Sequence, residues 1–213
     1  MSEKINKQLK EYIEQEVLPR YQSEVKCHCM DHINNVIKKS FDIVQDNNLE
    51  VNLDMVYAIA SYHDIGRSID SDKHHIIGAE ILMEDKALDK YFDKEQKLIM
   101  KEAIEDHRAS LDGAPRNVYG KIVSTADRSY DLDEFLGTVY RWRLKVSPEY
   151  TLQQNIDDGY NHLVDKYGEH GYARNKVYYE DAEFEKFLER VNKLIKNRDE
   201  FEKVYCEING IKS

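Results

Sequence analysis

Apolar residues recur along this chain at intervals of three and four, and few glycines or prolines interrupt them, so the fold has to be built from helices. Ile5, Leu9, Tyr12, Ile13 and Val17 open the series, and Pro19 is expected to help end that first helix. Ile33, Val36, Ile37, Phe41 and Val44 give a second, running out at Asp46-Asn47-Asn48. Asn52 is a good N-cap for a third that carries Met55, Ala58, Ile59 and Tyr62. A short fourth helix holds Ile76 to Leu82, and a fifth begins near Asp93 and reaches His107. Ser110 to Asn117, with Asp112-Gly113 and Pro115, reads as loop. The helix that resumes at Val118 runs or kinks on past Ala126 to Trp142 and breaks at Ser147-Pro148. Leu152 to Tyr167 and Asp181 to Cys206 supply two more, with a loop-like stretch from Gly168 to Tyr179 between them. No alternating pattern suggests a strand, and the expected architecture is an all-α bundle of seven or eight helices.

A chain of 213 residues suits one domain with an appendage. The expected division is an N-terminal helix (1–23) packed on a core (24–135), followed by a helical extension (136–213) within the same domain. The net charge of -10 argues against nucleic acid or an anionic membrane as partner, because both would repel the chain. No apolar run approaches the roughly 20 residues that span a bilayer, and Glu3, Glu11, Glu14 and Glu16 make a poor signal peptide. The expected location is the cytoplasm. Cys27, Cys29 and Cys206 are odd in number and include a cramped i, i+2 pair, so they read as reduced thiols.

Six of the eight histidines lie between residues 28 and 107, and an ordered series stands out from there to residue 127: His32, the pair His63-Asp64, His74, His107 and Asp127. Each sits on or at the end of an expected helix. Imidazole with carboxylate suits Zn, Mn or Fe better than Mg or Ca, which favour oxygen donors, and helices of a bundle can aim such donors at one mononuclear or dinuclear centre. A lone histidine beside an apolar stripe is ordinarily structural; the ordered combination is what points to a metal. His28 shares a helical face with His32, and His75 neighbours His74, so either is an alternative donor. Cys27-His28-Cys29 lacks the second cysteine pair that a structural zinc site would need.

The local contexts Met30-Asp31-His32-Ile33-Asn34-Asn35-Val36, Ser61-Tyr62-His63-Asp64-Ile65-Gly66-Arg67, His74-His75-Ile76-Ile77-Gly78-Ala79-Glu80 and Ser124-Thr125-Ala126-Asp127-Arg128 resemble the HD-domain superfamily of metal-dependent phosphohydrolases, over roughly residues 24 to 135. The resemblance implies that His32, His63, Asp64 and Asp127 bind a divalent metal inside an all-α fold. It also implies that His74 and His107 supply the further histidines of members with a dinuclear site. His107-Arg108-Ala109 and Asp112-Gly113 are similar to the cyclic-dinucleotide phosphodiesterase branch. That branch is rejected, because Arg108 and Ala109 stand where it has a histidine and a glutamate, and its Gly-Tyr-Pro is missing. The closer likeness is to small stand-alone bacterial members, among them nucleotide pyrophosphatases and dinucleoside-tetraphosphate hydrolases.

The function expected from this resemblance is cleavage of a phosphate ester or anhydride in a nucleotide or similar small molecule, through a metal-activated hydroxide. One or two divalent ions (Mn, Fe, Co or Zn) would be the cofactor. Asp64 is the expected bridge, since a carboxylate offers two oxygens and an imidazole one lone pair per metal. Arg67 and Lys73, with Arg108 and Arg128 behind them, are candidates to grip the phosphate. Arg141, Arg143 and Lys145 read as a solvated helix face, the second-half tyrosines as core, and the segment around Gly168 and Gly171 as a candidate lid. Other uses of the same fold are a di-iron oxygenase and a nucleotide-sensing module without turnover.

Overall fold

Ten α-helices and no strand occur among the described residues, 5–23, 28–128 and 130–211, of a computed structural model; the side chains of residues 22, 23, 28 and 29 fall outside that description. Cys27 and the side chains of His28 and Cys29, weighed above as donors, therefore lie outside the described residues. Helix α1 (Lys7–Tyr12) starts at Asn6, whose side chain accepts from Gln8 N and Leu9 N. It widens into a π-helical stretch, Ile13–Val17, and tightens into a 3-10 stretch, Leu18–Ser23. Pro19 does not stop the coil, because it sits in the first turn of the 3-10 stretch, where a helix makes no use of its N–H.

The remaining helices are α2 (His28–Asp46), α3 (Leu53–Tyr62), α4 (His74–Glu84), α5 (Lys94–Glu105), α6 (Val118–Ala126), α7 (Leu132–Val146), α8 (Leu152–Tyr167), α9 (Ala182–Lys196) and α10 (Arg198–Ile208). Asn52 caps α3 as expected, and Asp93 closes a capping box with Gln96 at the start of α5. The count exceeds the expected seven or eight because two long periodic stretches are broken. Asp131 accepts from Asp133 N and Glu134 N and starts α7 afresh. Asn197, in extended conformation, ends α9 and caps α10.

The chain forms two compact units, Met1–Arg128 with Val177–Tyr179, and Ser129–Lys176 with Glu180–Ser213. In the first unit α2, α3, α5 and α6 pack together and α4 lies along α5, around a core that includes Ile33, Val36, Met55, Ile59, Tyr62, Met100, Ile104, Ile122 and Val123. Two glycines let α4 come close to the end of α3. A Cβ on Gly78 would stand 3.0 Å from Tyr62 O, and one on Gly66 would stand 2.6 Å from His74 O. Asp85, just beyond α4, accepts from the hydroxyls of Tyr12 (2.6 Å) and Tyr62 (2.5 Å) on one oxygen. Burial, and then that carboxylate, push the Tyr12 pKa up to about 12 and Tyr62 higher still, so both phenols stay protonated and donate.

In the second unit α7 to α10 enclose Leu163, Tyr167, Phe184, Phe187, Val191, Phe201 and Tyr205. Tyr167 is core, edge-on to Phe187, and Tyr160 donates to Ile195 O. Arg143 is engaged with both oxygens of Asp158. The segment expected as a lid folds back on the end of α8, with Gly168 N, Tyr172 N and Ala173 N bonded to the carbonyls of Val164, Asp165 and Lys166. No helix among the described residues is long and apolar enough to cross a membrane.

Candidate metal centre

Each of the six proposed donors stands where a helix begins, ends or faces the inside of the first unit. His32 projects from α2. His63 is the C-cap of α3, with Asp64 in the turn that follows. His74 is the first residue of α4, His107 lies two residues past the end of α5, and Asp127 is the C-cap of α6. Five helices thus contribute to one place, and their donor atoms fall into two trios, His32 with His63 and Asp127, and Asp64 with His74 and His107. Within each trio the donors lie no more than 4.8 Å apart.

Asp64 touches both trios, one oxygen to each. Its Oδ1 is 3.2 Å from His74 Nε2 and 3.7 Å from His107 Nε2, while its Oδ2 is 3.7 Å from His32 Nε2 and 3.8 Å from His63 Nε2. Asp127 Oδ1 lies 3.1 Å from His32 Nε2 and 3.7 Å from His63 Nε2. The donors differ in access. The side chains of His32 and Asp127 are 38% and 18% exposed, against 0%, 7%, 10% and 1% for His63, Asp64, His74 and His107. Asp64, His74 and His107 thus form an inner trio, and the other, outer trio reaches solvent through His32 and Asp127.

Three of the histidines are oriented in the same way. His63 Nδ1 is 2.8 Å from Ala60 O, His74 Nδ1 is 2.7 Å from Ser71 O, and His107 Nδ1 is 2.6 Å from Ile104 O. A carbonyl only accepts, so Nδ1 carries the proton in each ring and Nε2 is the atom turned to the centre. His74 Nε2 and His107 Nε2 are 3.2 Å apart, and His63 Nε2 and His32 Nε2 are 3.4 Å apart. Between His74 and His107, neutral rings would oppose lone pair to lone pair, which a cation relieves; between His63 and His32, either a cation or a proton on one Nε2 does so. The donor set of imidazole nitrogen and carboxylate oxygen fits a first-row transition ion.

The two carboxylates also set the charge state of the rings around them. Burial depresses the His63 pKa, but the charge of Asp64 and the contacts with Asp127 outweigh it and bring it up to about 9. Burial also works against the Asp64 carboxylate, yet His63 and His107 hold it far below the usual carboxylate range. Asp127 is held down against burial by His32 and His63. Burial lowers His74, and burial with Arg108 pushes its neighbour His75 down to about 4. The structure brings His74, not His75, into the trio; the His75 ring stands edge-on to that of His74, 5.6 Å away.

The expected phosphate-gripping cations are placed unequally. Arg67 is half exposed and donates from Nη1 to Asp64 Oδ2 at 3.0 Å, and Lys73 is exposed at the N-cap of α4. Arg108 donates to Asp72 O at 2.7 Å, tying the end of α5 to the turn before α4. Arg128 is buried, and its guanidinium faces protein groups, away from solvent. His162 belongs to the second unit, stacked on Phe135, and His170 is exposed there.

Sequence reasoning missed a pair that fixes the His107 turn. Arg116 donates from its backbone N and Nε to Asp106 Oδ2 and from Nη2 to Oδ1, each at 2.8 Å. The available signal was a carboxylate adjacent to a candidate donor with an arginine across a short loop. A family model described as HD domain matches residues 30–130, and neither a curated protein nor a solved structure matches the chain significantly.

Proposed function

Residues 30–130 belong to the HD domain family, and from that premise we propose that the chain is a metal-dependent phosphohydrolase that cleaves a phosphate ester or anhydride of a nucleotide or similar small molecule. The observation that carries this reading is the division of Asp64, one oxygen toward His74 and His107 and the other toward His32 and His63. In this reading His32, His63 and Asp127 hold one divalent ion, His74 and His107 hold a second, and Asp64 is shared between them. A bound pair of such ions lowers the pKa of water and offsets the charge of a phosphate under attack. The chain's own share is orientation: three Nδ1–carbonyl bonds keep the Nε2 atoms turned inward, and burial keeps bulk water from the inner trio. Arg67 and Lys73, the exposed cations nearest this centre in sequence, are assigned to grip and orient the phosphate.

The test is metal analysis of protein purified without chelators, followed by a screen of nucleotides and other phosphorylated compounds with Mn, Fe, Co or Zn supplied. Asp64→Ala is expected to lose bound metal and phosphate release together. An active, metal-replete Asp64→Ala variant overturns the assignment. Iron that consumes O2 while no phosphate is released from any compound overturns hydrolysis and favours oxygenase chemistry.

A further inference from the structure

Arg128 stands next to Asp127 in sequence but does not face solvent; it is 6% exposed. Its Nη2 donates to the main-chain oxygen of His107 at 2.9 Å and to Ser124 Oγ at 2.7 Å. Its Nη1 lies 3.8 Å from Asp127 Oδ2. Its Nε is buried without a hydrogen-bond partner among the described residues, and its own carbonyl oxygen is met by Lys39 Nζ of α2 at 3.5 Å. One guanidinium therefore holds the backbone of a residue from the inner trio, His107, and lies against the carboxylate of a residue from the outer trio, Asp127.

From this geometry we propose that Arg128 is a positioning residue that sets the spacing of the two donor trios. The inference rests on the two-ion reading of the centre given above. A planar guanidinium with several fixed N–H directions can reach the His107 carbonyl, the Ser124 hydroxyl and the Asp127 carboxylate at once, and it stays charged in a buried setting. A lysine ammonium at the same position supplies the charge from a single point. Removing the side chain leaves the His107 carbonyl without this donor and the Asp127 carboxylate without its adjacent cation, so the end of α5 and the end of α6 lose a common anchor. Substrate contact is not available to a side chain this enclosed, which separates its role from that of Arg67.

The test uses the full chain loaded with Mn(II), with stoichiometry and affinity from equilibrium dialysis and the spacing of the ions from exchange coupling in the electron paramagnetic resonance spectrum. Wild type is expected to take up two ions and give the spectrum of a coupled pair. Arg128→Met and Arg128→Lys, with far-ultraviolet circular dichroism unchanged, are expected to bind the second ion about 10-fold or more weakly and to lose the coupled signal. Two ions bound with wild-type affinity and coupling in Arg128→Met overturns the proposal. Full recovery in Arg128→Lys also overturns it, since charge alone would then suffice. If both variants unfold, Ser124→Ala removes only one acceptor and is expected to weaken the second ion measurably; an unchanged second site in that variant overturns the proposal. Wild type that binds a single uncoupled ion refutes the two-ion reading itself, and the role of Arg128 falls with it.

Discussion

The imidazoles of this centre are told apart by what lies behind them as much as by what lies in front. His74 Nδ1 has the Ser71 carbonyl at its back, whereas the adjacent His75 has a buried Nδ1 with no hydrogen-bond partner among the described residues. His74→Ala is therefore expected to lose one of two bound ions and His75→Ala neither, as read by metal analysis after desalting. Sequence periodicity alone left this pair ambiguous, because neighbours on a helix differ only by a rotation of about 100° and either can face inward. The other residue-scale consequence concerns protons. With its pKa at about 9 in the metal-free protein, His63 is protonated at neutral pH, and an ion needs its neutral form. Asp64 and Asp127 are held low and add no competing proton in this range. Ion affinity should therefore rise with pH, by about 10-fold per unit for one displaced proton, and level off above about pH 9. Calorimetry in two buffers of different ionisation heat should register that proton release at pH 7; a pH-independent affinity contradicts it.

Between elements, close contact at two glycines sets how α4 meets α3. The Gly78 Cβ position faces backbone oxygens of Tyr62 and His63, and that of Gly66 faces His74 O and Gly78 N, none of which can swing aside as a side-chain tip would. Gly66→Ala is expected to destabilise the protein by about 1–3 kcal/mol, by overpacking that shifts His74 relative to His63; Gly78→Ala falls toward the lower end. Urea denaturation checks the loss. At this scale much was legible beforehand. The starts of α3 and α5 could be read at Asn52 and Asp93, since a cap acts on the two or three residues beside it. The breaks at Asp131 and Asn197 were not. Apolar spacing records which face of a stretch is buried, and Leu194 and Phe201 keep that record going across a backbone that has in fact turned extended.

For the whole molecule, the centre joins five helices of the first unit, so occupancy and folding should be linked. An ion that binds the folded chain alone raises its stability by about 2.7 kcal/mol at 100 times its dissociation constant. The melting temperature should accordingly climb with added Mn(II) or Zn(II) and fall on chelation, and Asp64→Ala should show neither change by differential scanning calorimetry. The order and kinds of the six donors were on view in the chain, yet their convergence rests on packing between residues as far apart as His32 and Asp127. The anchoring by Arg116 and Arg128 was harder to read for a related reason: one partner is a carboxylate ten residues back across a loop, and the other is the main-chain oxygen of His107, which carries no sequence signature. The unequal exposure of the donors also gives the centre a front and a back. His32 and Asp127 form the side met first from solvent, and His63, Asp64, His74 and His107 stand behind them, so the two places for an ion are not equivalent in their exchange with the surroundings.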